Sequence, residues 1–447
     1  MPRFAPDPDL EAPGLMALRR ALGAHAPVLL SSAAAGSQGR FDLLPLAEGE
    51  PIVVPYPGKP GHASALAALQ TRLRSINIGN DHGDEASAIF SGGWILYLAY
   101  EFGSVFEPKV RAHDPEIDEP LAILWRAPAA VIHDRSTDQR TLAGTLSPSM
   151  REGYQRALAA SQVAAETREL PLLTISEDPG EQFLDGVKRV HAYLRAGDVF
   201  QVNLSRAWRV TSAADFDADD LFERLCAANP APFAALLKHA GWALVSSSPE
   251  RLVSVRGRLV QTRPIAGTRR RDPNPQVDAE LLAELKRDPK ERAEHIMLID
   301  LERNDLGRIC APGSIVVDEL GGVESYAHVH HLVSNVSGRL RSGMDAWTLL
   351  SAVFPGGTIT GCPKVRCMQI ISELEPSGRG AYTGSLGYLG DDGVADFNIL
   401  IRTLSVRANE IVLRAGAGIV ADSVAGRELA ETRAKARGML RALGVDG

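Results

Sequence analysis

We predict an α+β fold, with antiparallel sheets flanked by helices, from the order of strand-like and helix-like segments along the chain. Short apolar runs bounded by turn residues, such as PIVVPYP (51–57) and GGWILYLAYEFG (92–103), are typical of strands. Helical patterns lie between such runs, for example at 64–74 and 218–228. The two kinds of segment do not alternate regularly, as they do in parallel sheets, so antiparallel sheets are expected.

Three regions are predicted along the chain. They are an N-terminal α+β region (1–150), a linker (151–180) with a helix at about 151–166, and a larger C-terminal region (181–447). The polar, turn-rich residues just before position 150 and the prolines and glycines near position 180 favour this linker. In the C-terminal region we expect a helix that ends at Gly197 and a hairpin that turns at Gly257.

Composition limits the classes of function. The chain of 447 residues carries a net charge of −7, which disfavours a nucleic-acid surface, and its local arginine clusters suit a small anionic ligand. Four cysteines are too few and too irregularly spaced for a disulfide framework or a zinc site, so free thiols are expected. No apolar run approaches the ~20 residues of a membrane helix, and no signal-peptide pattern is present. We expect a cytoplasmic protein without nucleic-acid or membrane partners.

The stretch TRPIAGTRRR (262–271) combines a glycine turn with a strip of three arginines. Gly267 allows the backbone to approach a ligand closely, and Thr268 offers a hydroxyl and an N–H group beside it. The pattern indicates an anion-binding loop. The alternative is an ordinary glycine turn followed by solvated arginines.

Two pairs of glutamates have helical spacing. Glu291 and Glu294 follow Asp288, a candidate N-cap, and Glu428 and Glu431 lie in the C-terminal helix. Such pairs on a surface helix are usually only solvated, and Glu291 also suits a capping role. Two pairs on either side of a candidate anion-binding loop are nevertheless candidate ligands for Mg²⁺, which prefers carboxylates.

Six motifs, in this order and spacing, resemble the chorismate-utilising enzymes, a family that includes anthranilate synthase component I, aminodeoxychorismate synthase component I, isochorismate synthase and salicylate synthase. The motifs are SSSPERL (246–252), TRPIAGT (262–268), DPKERAEHIMLIDLERNDLGR (288–308), HVHHLVS (328–334), FPGGTITGCPKVR (354–366) and GAGIVADS (416–423). The resemblance runs from about residue 181 to the end, which makes 181–447 a chorismate-binding region. It implies two large packed antiparallel sheets, as in anthranilate synthase component I, with the N- and C-terminal portions interleaved.

The resemblance also implies ligand-binding roles. Glu294 and Glu431 match magnesium ligands, with Glu291 and Glu428 as outer carboxylates. The residues that match positions binding the substrate carboxylates or lining the pocket are Tyr382, Arg402, Gly416, Gly418, Lys435, Thr358 and Thr268. Considered alone, Tyr382 and Arg402 would be interpreted as strand residues with satisfied polar ends, and Lys435 as part of a solvated helix face.

An acid–base pair is implied as well. Glu250 matches the general acid that protonates the departing C4 hydroxyl, and we expect crowding by the other glutamates to raise its pKa. His331 matches the histidine beside the ring, with a hydrogen-bonding or proton-transfer role. The alternatives without a catalytic role are that Glu250 is an exposed glutamate at a strand end and that His331 is a core histidine.

The attacking nucleophile depends on very few positions. Isochorismate and salicylate synthases carry a lysine that activates water where this chain has Gln201, and a neutral amide cannot act as a base. Ammonia needs no base, so an ammonia user is expected. Several motifs are more similar to aminodeoxychorismate synthase component I, whereas Ala266 matches anthranilate synthases; well-studied aminodeoxychorismate synthases carry a lysine there.

We therefore expect an aminodeoxychorismate synthase component I, with anthranilate synthase component I as the alternative in the same class. A non-catalytic chorismate-binding or regulatory protein is the alternative from another class. None of the four cysteines lies in the glycine-flanked elbow of a glutaminase nucleophile. Ammonia is therefore expected from a separate glutamine amidotransferase subunit.

Overall fold

The computed structural model describes residues 14–34, 39–79, 89–161, 170–326 and 329–445, and it excludes the side chains of residues 266, 268, 289 and 290. The chain has the expected α+β architecture, with two large antiparallel sheets. None of the helices within the described ranges is long and apolar enough to cross a membrane.

The strands of the described chain are β1 (Val28–Ser31), β2 (Phe41–Leu46), β3 (Ile52–Val54), β4 (Gly93–Leu98), β5 (Ala122–Ala127), β6 (Ala129–Asp134), β7 (Gln139–Gly144), β8 (Leu173–Glu177), β9 (Gln201–Ser212), β10 (Phe233–His239), β11 (Trp242–Ser248), β12 (Arg251–Arg256), β13 (Leu259–Thr262), β14 (Ile265–Arg270), β15 (Val316–Ser325), β16 (Val329–Arg339), β17 (Gly361–Cys362), β18 (Ser385–Gly390), β19 (Ala395–Asn398), β20 (Thr403–Arg407) and β21 (Glu410–Ile419). The helices are α1 (Leu15–Leu22), α2 (His62–Arg74), α3 (Gly103–Phe106), α4 (Pro148–Ala160), α5 (Gly180–Ala196), α6 (Ala218–Ala228), α7 (Pro275–Arg287), α8 (Pro289–Gly307), α9 (Ala346–Val353), α10 (Lys364–Leu374) and α11 (Ala425–Ala442).

The first sheet has the strand order β17-β9-β21-β20-β11-β10-β1-β2-β6-β7, and β8 also pairs with β9. The second has the order β14-β16-β13-β12-β19-β18-β4-β5-β3, and β15 also pairs with β16. Each sheet thus combines strands from residues 1–150 with strands from residues 181–447. The interleaving implied by the family resemblance is present, and the two regions share their sheets.

Alternation along the strands explains how the sheets pack. In β11, Leu244 belongs to the large core that also contains Leu96 and Val253 of the second sheet, whereas its neighbour Val245 belongs to a separate core. That separate core includes Leu221 of α6 and Met439 of α11. Successive side chains of a strand point to opposite faces. The first sheet is therefore covered by the second sheet on one face and by helices on the other.

Several local predictions are confirmed. The helices expected at 64–74 and 218–228 are α2 and α6, and the helix expected in the linker is α4. Gly197, with a φ of 78°, ends α5 in the left-handed conformation that glycine adopts easily. The hairpin at Gly257 joins β12 and β13, where Arg256 pairs with Leu259.

The linker prediction did not anticipate two strands. The polar residues expected to form turns before position 150 contain β7, which pairs with β6, and the segment 151–180 contains β8, which pairs with β9. Both strands have mostly polar and partly exposed side chains. The sequence of β7 has no alternation of apolar and polar residues. In β8, Leu173 and Ile175 alternate with the exposed Thr174 and Ser176, but two apolar residues are too few to identify a strand in this segment.

A buried network of charges lies beneath the strands β9 and β21. Glu375 accepts hydrogen bonds from Arg379 Nη2 at 2.6 Å, from Arg414 Nη2 at 3.1 Å, and from the backbone N–H of Ser205 at 2.8 Å. Burial opposes ionisation of Glu375, but the two guanidinium groups outweigh it and hold its pKa below the ordinary value. The network joins β9, β21 and the segment that precedes Tyr382.

Replacement of Glu375 by alanine should be strongly destabilising, because it leaves two buried guanidinium groups without their carboxylate. We expect the free energy of unfolding to fall by ~3–5 kcal/mol, measured by urea denaturation. Asp185→Ala is the control, since it removes an exposed ion pair with Lys188 and should cost at most ~1 kcal/mol. Equal losses for the two variants would contradict this account of the network.

Candidate active site

The residues predicted to bind the substrate come from both sheets and meet through a chain of contacts. Gln201 lies in β9, Gly416 and Gly418 in β21, and His331 in β16 of the second sheet. The other contributors lie in loops or in α11, and they are Glu250, Thr358, Tyr382, Arg402 and Lys435. The following contacts bring these groups together.

Glu250 follows the end of β11 in a turn, where its N–H donates to Ser248 Oγ at 3.2 Å and its carbonyl accepts from Ile399 N–H. Its side chain is buried, and Thr358 Oγ1 donates a hydrogen bond of 2.6 Å to its Oε1. Burial raises the pKa of Glu250 to about 7, whereas Thr358, Lys435 and Arg402 limit the rise. The direction is the expected one, but the cause is burial and not crowding by other glutamates.

Arg402 lies between β19 and β20 with a φ of 52°, a left-handed conformation that is uncommon outside glycine. Its Nη1 donates a weak hydrogen bond of 3.4 Å to Asn229 Oδ1. Burial lowers its pKa, and Glu250 opposes this shift. No carboxylate in the described part of the chain forms an ion pair with Arg402. A half-buried guanidinium of this kind can bind the carboxylate of a ligand.

The two glycines of β21 are required by their neighbours on β9. A Cβ on Gly416 would lie 2.7 Å from Asn203 Oδ1, 2.9 Å from the carbonyl oxygen of Leu204 and 2.9 Å from Tyr382 Oη. A Cβ on Gly418 would lie 2.6 Å from Gln201 Nε2. The space above these glycines is therefore filled by amide side chains, in addition to any role of the backbone in ligand binding. Tyr382 is buried beside Gly416, as a shared pocket requires.

Gln201 is buried, and its side-chain oxygen has no hydrogen-bond partner among the described residues. Lys435 reaches the same region from α11, where its Nζ donates to the carbonyl of Gly416 at 3.1 Å and pairs with Glu431 at 2.7 Å. Because Lys435 also lowers the pKa of Glu250, the glutamate and the lysine lie in one electrostatic environment. A buried amide and a nearby cation are thus combined with a protonatable acid.

His331 is buried in β16, where its imidazole is hydrogen-bonded to the backbone of Gly267 and lies edge-on to the ring of Tyr326. Burial lowers its pKa to about 3, and the positive charge of Arg402 contributes. The imidazole is therefore neutral near pH 7 and suits a hydrogen-bonding role. The neighbouring His330 contacts Ser325 and Asp278 instead, so the two histidines do not form a cluster.

The loop predicted to bind an anion forms β14, which pairs with β16. The backbone of Ala266 is opposite Leu332 and that of Thr268 is opposite His331, with an irregularity between them at Gly267. The side chains of Ala266 and Thr268 lie outside the described part of the structure, so their predicted roles stay predictions.

In the described part of the structure, the arginines of the strip are paired with carboxylates of the chain, and the anion-binding role of this loop stays a prediction. Arg269 binds Glu284, Asp288 and Glu291. Arg271 binds Asp278 and Arg270 binds Asp272. These guanidinium groups are neutralised by carboxylates of the chain, and those of Arg269 and Arg271 fasten helices α7 and α8 to β14.

The four glutamates predicted to bind magnesium lie in two helices. Glu291 and Glu294 are in α8, and Glu291 Oε1 accepts from Arg269 at 3.0 Å. Glu428 and Glu431 are in α11, where Glu428 is buried and Glu431 is exposed and paired with Lys435. Among the described residues, no three His, Cys, Asp or Glu side chains are grouped closely enough to hold a metal ion. Magnesium binding therefore stays a prediction.

Two features of the region differ from the sequence-based expectation or were not anticipated. Lys364, in the motif FPGGTITGCPKVR (354–366), donates to Asp305 Oδ2 at 2.5 Å and to the carbonyl of Val353, which fixes it to α8 and α9. Asn203 was overlooked, although it lies two residues after Gln201 on the same strand and therefore on the same face. Strand periodicity could have identified it.

Comparison with known proteins agrees with this arrangement. Residues 37–441 match the family of chorismate binding enzymes. Anthranilate synthase component 1 of Streptomyces coelicolor is 42% identical over 412 residues, covering 87% of this chain and 79% of that protein. Aminodeoxychorismate synthase component 1 of Bacillus subtilis is 40% identical over 366 residues, covering 79% and 77%. The crystal structure of anthranilate synthase component I from Streptococcus pneumoniae superposes with a TM-score of 0.76 at 29% identity, covering 91% of this chain and 93% of that one. The chain belongs to the family of chorismate binding enzymes.

Proposed function

We propose that this enzyme replaces the C4 hydroxyl of chorismate by an amino group from ammonia, giving 4-amino-4-deoxychorismate, a precursor of p-aminobenzoate and folate, and one molecule of water. The observation that carries the proposal is the buried amide of Gln201. Water addition needs a base at this position, and an amide cannot accept a proton from water. Ammonia has its own lone pair and attacks without such a base.

Glu250 is the proposed general acid. It donates a proton to the departing hydroxyl, which leaves as water, and it recovers a proton from the nitrogen that has attacked. Because its pKa is about 7, the carboxyl group is protonated in a large fraction of molecules at neutral pH. Thr358 holds the carboxyl group in position through its hydrogen bond.

The remaining residues bind and orient the dianionic substrate. Arg402, which has no carboxylate partner in the described chain, and the hydroxyl of Tyr382 bind the enolpyruvyl carboxylate. Lys435 adds positive charge near the ring carboxylate, and the neutral imidazole of His331 provides a hydrogen bond. Together they give a positive, partly buried surface, which favours a ligand with two carboxylates.

Magnesium is the proposed cofactor, with Glu294 and Glu431 as ligands and Glu291 and Glu428 as outer carboxylates. The donor chemistry fits, because Mg²⁺ is commonly held by one or two carboxylates with water completing its shell. Binding would require Glu431 and Glu291 to exchange their cationic partners, Lys435 and Arg269, for the ion. When bound, the ion would neutralise the negative charge of the ring carboxylate.

A separate glutamine amidotransferase subunit is the proposed source of ammonia. The relatives are named component 1, which supports the existence of a second component. Each of the four cysteines is a free thiol, which suits a reducing, cytoplasmic location. A non-catalytic role is disfavoured, because the charge of Arg402 acts on both the candidate acid Glu250 and the candidate hydrogen-bonding group His331.

Anthranilate formation is the second candidate function. Ala266 favours it, because a methyl group cannot form the covalent adduct made by a lysine at this position, and the Streptomyces coelicolor relative is an anthranilate synthase. We favour substitution at C4 because more of the surrounding motifs are similar to aminodeoxychorismate synthases.

The product assay decides between these functions. Purified enzyme with chorismate, magnesium and ammonium should give p-aminobenzoate only after an aminodeoxychorismate lyase is added, whereas glutamine should not replace ammonium. Mass spectrometry and fluorescence identify the products. If anthranilate forms without the lyase and no p-aminobenzoate forms with it, the enzyme is an anthranilate synthase, as Ala266 indicates. Isochorismate formation without ammonium would overturn the assignment of ammonia as nucleophile.

The pH dependence of turnover should report the ionisation of Glu250. Because the acid must be protonated, kcat/KM for chorismate should fall as the pH rises through about 7. The rates should be compared at a fixed concentration of free ammonia, because the deprotonated fraction of ammonium also changes with pH. Thr358→Val removes a hydrogen bond that favours the ionised carboxylate, so the falling limb should move to higher pH. An unchanged limb in this variant would argue against Glu250 as the titrating acid.

The magnesium assignment can be tested at Glu431. Glu431→Ala should retain its fold, judged by circular dichroism, and lose ~10²–10³-fold in kcat/KM, the usual effect of removing one preorganised electrostatic contact. Glu280→Ala, which removes an exposed glutamate of α7, is the matched control and should leave the rate unchanged. Full activity of the wild-type enzyme in thoroughly chelated buffer would refute the assignment.

A further inference from the structure

Two buried carboxyl groups from the N-terminal part of the chain lie beneath the segment that carries Tyr382. Glu101 follows β4 and Glu119 precedes β5, and each is only 5% exposed. Among the described residues, no cation forms an ion pair with either of them. A buried carboxyl group without a cation is costly unless hydrogen-bond donors satisfy it. The donors therefore indicate what these two acids do in the fold.

Three successive backbone N–H groups donate to the two acids. Glu101 accepts from the N–H of Arg379 at 2.6 Å and from that of Gly380 at 3.0 Å. Glu119 accepts from the N–H of Ala381, the residue before Tyr382. Gly380 has a φ of 58°, and successive N–H groups beside a left-handed residue form a concavity that binds acidic groups. A Cβ at this position would collide with Glu119 Oε1, so the acid can approach the backbone only because the residue is glycine.

Side chains from both sheets fix Glu119 in this place. Tyr97 of β4, in the second sheet, donates to its Oε1 at 3.3 Å. Ser405 of β20, in the first sheet, donates to its Oε2 at 2.5 Å and accepts from Trp242 Nε1 at 2.8 Å. Glu119 thus connects the two sheets with the segment that carries Tyr382.

The charges near Glu119 leave it protonated at neutral pH. The titratable or charged side chains that face it are those of Tyr97 and Glu101 and, around a small cavity, those of Glu116, Arg379, Tyr382 and Arg414. Both of these arginines bind Glu375 instead. Burial raises the pKa of Glu119 to about 8, and the negative charge of Glu101 contributes, whereas the hydrogen bond from Ser405 opposes the rise.

We propose that Glu119, with Glu101 beside it, is a positioning residue that holds Tyr382 against the substrate by binding the N–H groups that precede it. The inference rests on the proposed function for the role of Tyr382, whose hydroxyl binds the enolpyruvyl carboxylate. Ionised Glu119 would place a second negative charge beside Glu101 and beneath an anionic ligand. Because bound chorismate therefore favours the protonated acid, linkage requires the affinity for chorismate to fall as the pH rises through about 8.

The dissociation constant for chorismate measures this effect directly. Without ammonium the proposed reaction cannot proceed, so calorimetric titration with chorismate and magnesium gives equilibrium binding. Glu119→Gln keeps the shape of the side chain and is neutral at every pH, as the protonated acid is. Its Kd should match that of the wild type within about twofold at pH 6.5 and should be about three- to tenfold lower at pH 9.5. The ionisation of Glu250 affects both proteins and cancels in the ratio.

A second variant separates substrate positioning from a general loss of activity. Glu119→Leu removes the acceptor of the Ala381 N–H, so the Kd for chorismate should rise about tenfold at pH 6.5, the size expected for one hydrogen bond. The KM for ammonium at saturating chorismate should change less than about twofold, because Tyr382 binds the other substrate. Glu152→Gln, at an exposed position of α4, is the control and should change neither value.

The outcomes distinguish this inference from the function on which it rests. A ratio of Kd values that stays constant between pH 6.5 and 9.5 overturns the role of Glu119, and this test needs only the glutamine variant if the leucine variant does not fold. A folded Glu119→Leu variant that binds chorismate as tightly as the wild type overturns it as well. A wild-type enzyme that binds chorismate but gives no aminated product with ammonium refutes the proposed function alone.

Discussion

The geometry of the pocket depends on the hydrogen bonds and ion pairs of the ionised Glu375. Its carboxylate is bound by Ser205 of β9, Arg414 of β21 and Arg379 of the loop between α10 and β18. Asn203, Gly416 and Tyr382 lie only two or three residues along the chain from these three anchors. Breaking a buried ion pair strongly destabilises the folded protein, because it leaves a buried charge without a partner. Separation of the three segments would therefore cost much free energy. The floor of the pocket is therefore fixed before any ligand binds.

The walls of the pocket have a different electrostatic character from its floor. Burial without a neutralising partner makes Glu250 a weak acid with a pKa of about 7 and keeps His331 neutral, whereas Arg402 retains its charge without a carboxylate partner in the described chain. The groups that face the ligand thus add little negative charge. Arg402 supplies a positive charge that suits a carboxylate of the ligand, and both Arg402 and Lys435 keep the pKa of Glu250 from rising further.

The sequence allowed the fold class and several helices to be predicted, because these depend on local pattern, and its motifs supplied the candidate pocket residues. It did not reveal partners that are distant in the chain. Nothing in the run of three arginines indicates that Arg269 binds acids of α7 and α8, or that Lys364 is held by Asp305. The strands β7 and β8 are not evident in the sequence, because β7 follows no apolar period and the alternation in β8 is limited to Leu173 and Ile175. The cause of the raised pKa of Glu250, burial between strands, likewise exists only in the folded chain.

Under the proposed function, the residues that decide the nucleophile and the residues that decide the product belong to different sheets. Gln201 belongs to β9 of the first sheet, whereas Ala266 and His331 belong to β14 and β16 of the second. Under that function, we expect a substitution in one sheet to alter the site of attack without altering which nucleophile is bound. This separation is consistent with relatives that have different product names and nearly equal identity to this chain, 42% and 40%. Overall similarity measures the shared scaffold, whereas under the proposed function the product depends on a few positions such as Ala266.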